Sequence, residues 1–418
     1  MSARLGFGTH RVRDDVPEHH AALVYALEHG VDLIDTSAMF SDGSSENAVG
    51  AACTAAHAEP RIITKVAPDP AQLEDAVHAS LARMERRSVD SVLLDLSGRG
   101  TTEIDLVGCF RALEHLRAVG QCTTYGIHSA SFLRDPADPA HLSLTACIAA
   151  ATEAGGSSHG FASVETPFNV LENTAALVPT QHDGTPSLLE HAMECGIGVI
   201  ASRPLDAVVN QELIRLVTYD APHKEPDAEA IETRIHTLEI TEHEILQELI
   251  VLATPGERER AAMEDAWRVA GLLCTTWRSF TGKPHWNDVR TRILDPRLEV
   301  IARSVARFAP SAHRISQYVR DMDALLREID ARYAWDENHS LNELRLILAD
   351  EFGCAPDATL QHIALQAVRS TPGITAVVVG MRRPAYVDDA LAVWATPATP
   401  VHHATWMRVH QHLERLSS

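Results

Sequence analysis

The chain has 418 residues, 45% of them hydrophobic, enough to bury a full core as one large domain with an insertion or as two domains. Its 57 acidic against 36 basic residues give a net charge of -21 with no basic cluster, which argues against nucleic acid or an anionic membrane as partner and leaves a small-molecule substrate. Seven scattered cysteines without a C-x-x-C pair fit free thiols in a reducing compartment, so a cytoplasmic protein is expected; the start MSARLGFGTHRV shows no leader pattern, and no apolar stretch is long enough to span a bilayer.

In chain order, short apolar and β-branched runs predict strands at RLGFGT (4–9), VDLIDT (31–36), RIITKV (61–66), SVLLDL (91–96), TTYGIH (123–128), FASVE (161–165), GVIAS (198–202) and TAVVVG (375–380). Helical segments such as HHAALVYALEHG, LEDAVHASLARMERR and LVGCFRALEHLRAVG lie between them, several closed by a glycine (Gly30, Gly120, Gly196). Eight such units read as an α/β protein, a (β/α)8 TIM barrel whose active site sits at the C-terminal strand ends. The spacing breaks once. A mainly helical stretch over 206–355 separates strand 7 from helix 7, dividing the chain into barrel strands 1–7 (1–205), a helical insertion or lid (206–355), and strand 8 with C-terminal helices (356–418). The insertion carries four of the six tryptophans, Trp267, Trp277, Trp286 and Trp335. It reads equally as a lid at the active-site face, a solvated decoration or the contact of a homo-oligomer.

Several segments then gather into one pattern. DTSAMFSDGSSENAVG, RIITKV, VDSVLLDL, GQCTTYGIHS, VETPFNVLE, GVIASRPLDA and STPGITAVVVGMRRPAYVDDAL resemble, in order and spacing, the signature segments of the aldo-keto reductases. The resemblance covers about 4–205 and 356–394. It implies a barrel that binds NADP and reduces carbonyls with an Asp, Tyr, Lys and His tetrad, the tyrosine protonating the oxygen as hydride leaves the nicotinamide. Those positions hold Asp35, Phe40, Lys65 and Asp95, so the proton donor and the orienting imidazole are replaced and the active site is degenerate. The implied nicotinamide contacts also change: His128 and Ser129 stand for Ser-Asn, Glu165 for Gln, and Ser202, followed by Arg203 and Leu205, for the stacking tyrosine. At the other end Gly380 and Arg382 match the positions that cradle the 2'-phosphate, while Tyr386 and Ala390 replace Gln and Asn.

Lys65 is notable without the resemblance, because the chain uses lysine only at 65, 224 and 283. Flanked by Asp35 and Asp95 on neighbouring strands, it reads as an electrostatic anchor, an amine nucleophile or a buried ion pair. With His10, His128 and Glu165 at further strand ends, and Phe40 beside them, titratable groups converge on one cavity. No H-x-H or H-E-x-x-H spacing supports a metal there, and none is expected. Three functions stay open: an NADP-dependent oxidoreductase in which His128, His10 or a protonated Asp95 delivers the proton; a non-redox lyase, isomerase or dehydratase built around Lys65; or an inactive binding or regulatory protein.

Overall fold

Eight strands close on one another: β1 (Arg4–Gly8), β2 (Leu33–Asp35), β3 (Arg61–Val66), β4 (Val89–Asp95), β5 (Cys122–His128), β6 (Phe161–Pro167), β7 (Gly198–Ser202) and, beyond a hairpin of β8 (Asp206–Val209) and β9 (Glu212–Arg215), β10 (Ile374–Val379). The computed structural model describes residues 3–97, 104–181, 184–209 and 211–417. In it these eight strands run parallel in the cyclic order β1-β10-β7-β6-β5-β4-β3-β2, a TIM barrel. A helix follows each strand in turn: Pro17–Glu28, Ser44–Ala56, Leu73–Arg83, Leu106–Ala118, Leu144–Gly155, Leu188–Cys195, Leu360–Arg369 and Pro384–Trp394. Among the described residues no helix is long and apolar enough to cross a membrane.

Strand alternation decides what the barrel mouth contains. Leu33, Ile63, Leu93, Ile200 and Val378 pack together as one buried cluster. Side chains two residues apart share a face of a strand. The next residues on that face are therefore Asp35, Lys65, Asp95, Ser202 and Gly380, an apolar layer capped by a polar one. On β5 the apolar layer holds Gly126, where a Cβ would lie 2.0 Å from the Ser163 carbonyl oxygen and 2.8 Å from Leu93 Cδ2. Only glycine lets β5 and β6 approach this closely, and the same register pairs Asp95 with His128 and His128 with Glu165.

The stretch after β7 is not uniformly helical. The antiparallel β8 and β9 hairpin occupies its first ten residues and belongs to the barrel unit, which comprises 1–217 and 345–418. A separate compact unit spans Thr218–Leu344. Its long helices Ala228–Ala253 and Ala312–Ser340, with shorter ones including Glu257–Ala266, Val269–Thr276 and Asp295–Ser304, enclose a core of Trp267, Trp277, Trp286, Tyr318, Met322 and aliphatic side chains. Trp335 lies outside that core, stacked on His339 at 4.9 Å between ring centroids. Buried Glu242 accepts hydrogen bonds from the backbone N–H groups of Val269, Ala270 and Gly271 and from the Tyr318 hydroxyl. A carboxylate there meets the positive end of the Val269–Thr276 helix, which is how a charge is tolerated in that core.

Candidate active site

The strand ends are pinned before any charge is considered. Thr9 Oγ1 donates to the Asp35 carbonyl oxygen at 3.0 Å and lies 3.1 Å from Ser45 Oγ, which is 2.8 Å from Thr36 Oγ1. Glu46 accepts from Thr64 Oγ1 at 2.6 Å and from Arg83 Nε at 2.7 Å. Ser45 and Glu46 of the SSEN segment thus tie the first turn of the Ser44–Ala56 helix to β2 and β3. These are positioning roles, and they hold Asp35 and Lys65 side by side.

Lys65 is 1% exposed and its ammonium donates to Asp35 Oδ1. Its second carboxylate is Glu165, with Oε2 at 3.0 Å, and not Asp95 as the strand order had suggested. A side chain inside a closed barrel can cross to a strand that is not its neighbour, and Lys65 on β3 reaches β6. Two buried carboxylates therefore share one ammonium. Burial, then repulsion from Glu165, pushes Asp35 up to about 7 against the attraction of Lys65. For Lys65 burial works downward, but Asp35 and Glu165 outweigh it and the net shift is upward. An ammonium held this firmly charged is no amine nucleophile.

Asp95 instead pairs with His128. Its Oδ1 lies 3.2 Å from His128 Nδ1 and accepts the Ser97 backbone N–H at 2.9 Å. Burial raises its pKa, but the bonds from His128 and Ser97 prevail and bring it down to about 2. Those bonds favour the ionised form of Asp95 at neutral pH, against the protonated form that a proton donor needs. His128 Nε2 is 3.8 Å from Glu165 Oε1. Burial alone would lower the imidazole; Glu165 and the Asp95 bond reverse this and raise it above its ordinary value. At 21% side-chain exposure, His128 is the part of this charged group that solvent reaches, since Asp35, Lys65, Asp95 and Glu165 are all at 5% or below. His10 stands at the rim with its ring 5.0 Å from Phe40, edge to face. Partial burial, then Arg11 and Lys65, lower its pKa. Phe40 lies over Lys65 Nζ, 5.5 Å from ring centroid to nitrogen, and offers no proton.

The expected cofactor positions divide. Arg203, at φ 51°, donates to Glu172 Oε1 at 2.8 Å, so its guanidinium is already engaged. The Leu205 carbonyl accepts the Leu216 N–H at 2.9 Å and closes the base of the hairpin. Ser129 is buried, its Oγ accepting the Ser131 N–H at 3.0 Å. Ser202 Oγ is buried without a hydrogen-bond partner among the described residues. Gly380 is open, with no atom within 4 Å of where a Cβ would stand. Tyr386 is exposed beneath the guanidinium of Arg383, 5.9 Å from its ring centroid. Arg382 is half-buried and makes no hydrogen bond or ion pair among the described residues; burial, then Arg11 and Arg215, lower its pKa. Arg11 likewise has no acidic partner among them, and Arg215 has only Asp206 at 3.8 Å. Such a concentration of guanidinium groups has the chemistry that attracts an anion.

Residues 4–209 match the family model described as the aldo/keto reductase family. The barrel belongs to the aldo/keto reductases. Over 134 residues the chain is 31% identical to methylglyoxal reductase YeaE of Escherichia coli (strain K12), a match covering 31% of this chain and 46% of that protein, so it spans less than half of the curated relative. An aldo/keto reductase from Klebsiella pneumoniae in complex with NADP and acetate superposes with a TM-score of 0.50 at 16% identity, covering 97% of this chain and 90% of the other. The holo form of an aldo-keto reductase from Bacillus halodurans gives 0.50 at 16%, covering 98% and 92%. At that identity the likeness is one of fold.

In this aldo/keto reductase barrel the structure gathers Asp35, Lys65, Asp95, His128 and Glu165 into one bonded network. It sets His10 and Phe40 at its edge and diverts Arg203 away from it. Sequence reasoning missed Arg11 and Arg215. Arg11 was detectable, because it follows His10 at the end of β1. Arg215 was not, because the segment that carries it was expected to be helical.

Proposed function

We propose that the chain is an NADP-dependent oxidoreductase acting on the carbonyl or alcohol of a small molecule, with the His128 imidazolium as proton donor in place of a tyrosine. The placement of His128 carries this reading: it is the accessible member of an otherwise closed charged network, and its carboxylate neighbours favour its protonated form. Asp95 fixes Nδ1, which leaves Nε2 to face a substrate oxygen and deliver the proton. Glu165 favours that imidazolium and the Lys65 ammonium opposes it, and with Asp35 they form the fixed charges beneath it. Arg382, Arg11 and open Gly380 suit the 2'-phosphate of NADPH, whose nicotinamide would supply the hydride for carbonyl reduction. The curated relative's name makes a small 2-oxoaldehyde the first substrate to try.

One observation favours a second reading. Ser202 stands where an aromatic ring would stack on the nicotinamide, while His128 and His10 are shifted in opposite directions, which is the pattern of an acid and a base acting together. Acid-base chemistry without redox, as in a lyase, isomerase or dehydratase, fits that pair.

Dinucleotide titration separates the two. Arg382→Ala is expected to weaken NADP binding by about 1.5–3 kcal/mol, roughly 10- to 100-fold, the value of a lost charge-assisted hydrogen bond, and to leave NAD nearly unaffected. Equal losses for both dinucleotides would remove Arg382 from the 2'-phosphate. Tight NADPH binding without oxidation by any aldehyde or 2-oxoaldehyde would move the protein to the second reading.

A further inference from the structure

The helical unit holds a group of side chains that the barrel chemistry does not use. His236 and Glu239 lie three residues apart on the Ala228–Ala253 helix, so they share one face. Cys274, near the end of the Val269–Thr276 helix, meets that face. Its Sγ is 3.0 Å from Glu239 Oε2 and 3.6 Å from His236 Nδ1, and that nitrogen is 3.6 Å from Glu239 Oε2. Among the described residues this is the group whose ligand atoms converge closely enough to hold a metal ion.

The three separations have a specific meaning. A tetrahedral zinc ion with bonds of about 2.3 Å to sulfur, about 2.1 Å to nitrogen and about 2.0 Å to oxygen sets its ligand atoms roughly 3.4–3.6 Å apart. Two of the edges here have that length, and the third needs only a small opening of the thiol–carboxylate contact. The geometry points to a divalent zinc-type site in which His236 Nδ1, Glu239 Oε2 and the Cys274 thiolate supply three ligands. One sulfur, one nitrogen and one oxygen form a borderline-soft set that suits zinc and cobalt better than calcium or magnesium. The thiol releases its proton to solvent when the metal binds. His236 and Glu239 are 66% and 44% exposed, so the fourth position is open to water. An ion here would link two helices by a bond that their apolar packing does not provide.

Cobalt(II) titration of the full-length protein, freed of metal with a chelator, tests the site. One equivalent is expected to bind, with near-ultraviolet thiolate-to-cobalt absorption and the visible bands of a tetrahedral ion. Cys274→Ser should abolish the near-ultraviolet band, and His236→Ala, on an exposed side chain whose loss leaves the core untouched, should weaken uptake at least tenfold. Zinc should displace the cobalt and raise the melting temperature of wild type more than that of His236→Ala. The proposal is overturned if no thiolate band appears at saturating cobalt, if the band persists undiminished in Cys274→Ser, or if His236→Ala binds cobalt as tightly as wild type. Should Cys274→Ser fail to fold, the His236→Ala affinity decides alone.

Discussion

Replacing His128 by glutamine is expected to lower turnover by about 10²- to 10⁴-fold, the usual contribution of a positioned general acid, with NADP affinity nearly unchanged. The pH profile gives the sharper reading. His128 is raised above its ordinary value by Glu165 and Asp95 once burial is overcome. As an acid it must be protonated, so wild-type turnover should hold at low pH and fall as pH rises through that raised value. This limb should vanish in His128→Gln. Phe40→Tyr in that background places a phenol on a ring whose centroid is 5.5 Å from Lys65 Nζ, and it should recover part of the loss. If turnover and its pH limb are the same in wild type and His128→Gln, the proton comes from elsewhere.

Lys65→Met should cost about 3–5 kcal/mol of stability, measured as a shift in denaturant midpoint, because it removes the ammonium that Asp35 and Glu165 share and leaves two buried carboxylates facing each other. The loss should depend on pH. Asp35, raised to about 7, binds its proton more tightly in the folded state than in the unfolded one, so its contribution is present at low pH and is lost as pH rises through that value. Without Lys65 the attraction that restrains Asp35 is gone and its pKa is pushed higher still, so the variant's deficit should be largest near pH 8 and shrink towards pH 5. A deficit independent of pH would mean that packing, and not charge, sets it. Lys65→Arg keeps the charge but cannot fit its planar fork into a site 1% exposed, and should fall between the two.

The barrel was legible because its strands are short β-branched runs separated by helices, and because the period of two carries Leu33 to Asp35, Ile63 to Lys65 and Leu93 to Asp95. What a strand list cannot show is contact across the interior. Strand order sets Asp95 beside Lys65, yet Lys65 turns to Glu165 on β6, and Asp95 to His128. The hairpin at 206–215 was hidden for a different reason. Its turn includes Gln211, at φ 69°, in place of the glycine that would have announced it, and the two strands are only four residues each. The site in the helical unit was hidden because two of its ligands come from one helix and the third lies far along the chain.

The distance in sequence between β7 and β10 governs how the molecule is made. β10 pairs with β1 on one side and β7 on the other, so it is the strand that closes the barrel. During synthesis the ribosome must add about 170 residues after β7 before β10 emerges, roughly ten to thirty seconds at ordinary elongation rates. Throughout that interval two strand edges stand open, and open edges recruit strands from other chains. The Thr218–Leu344 unit, with its own apolar core, can condense in the meantime. The nascent barrel waits as a seven-stranded arc, so the period of greatest aggregation risk falls before the last 45 of the 418 residues exist.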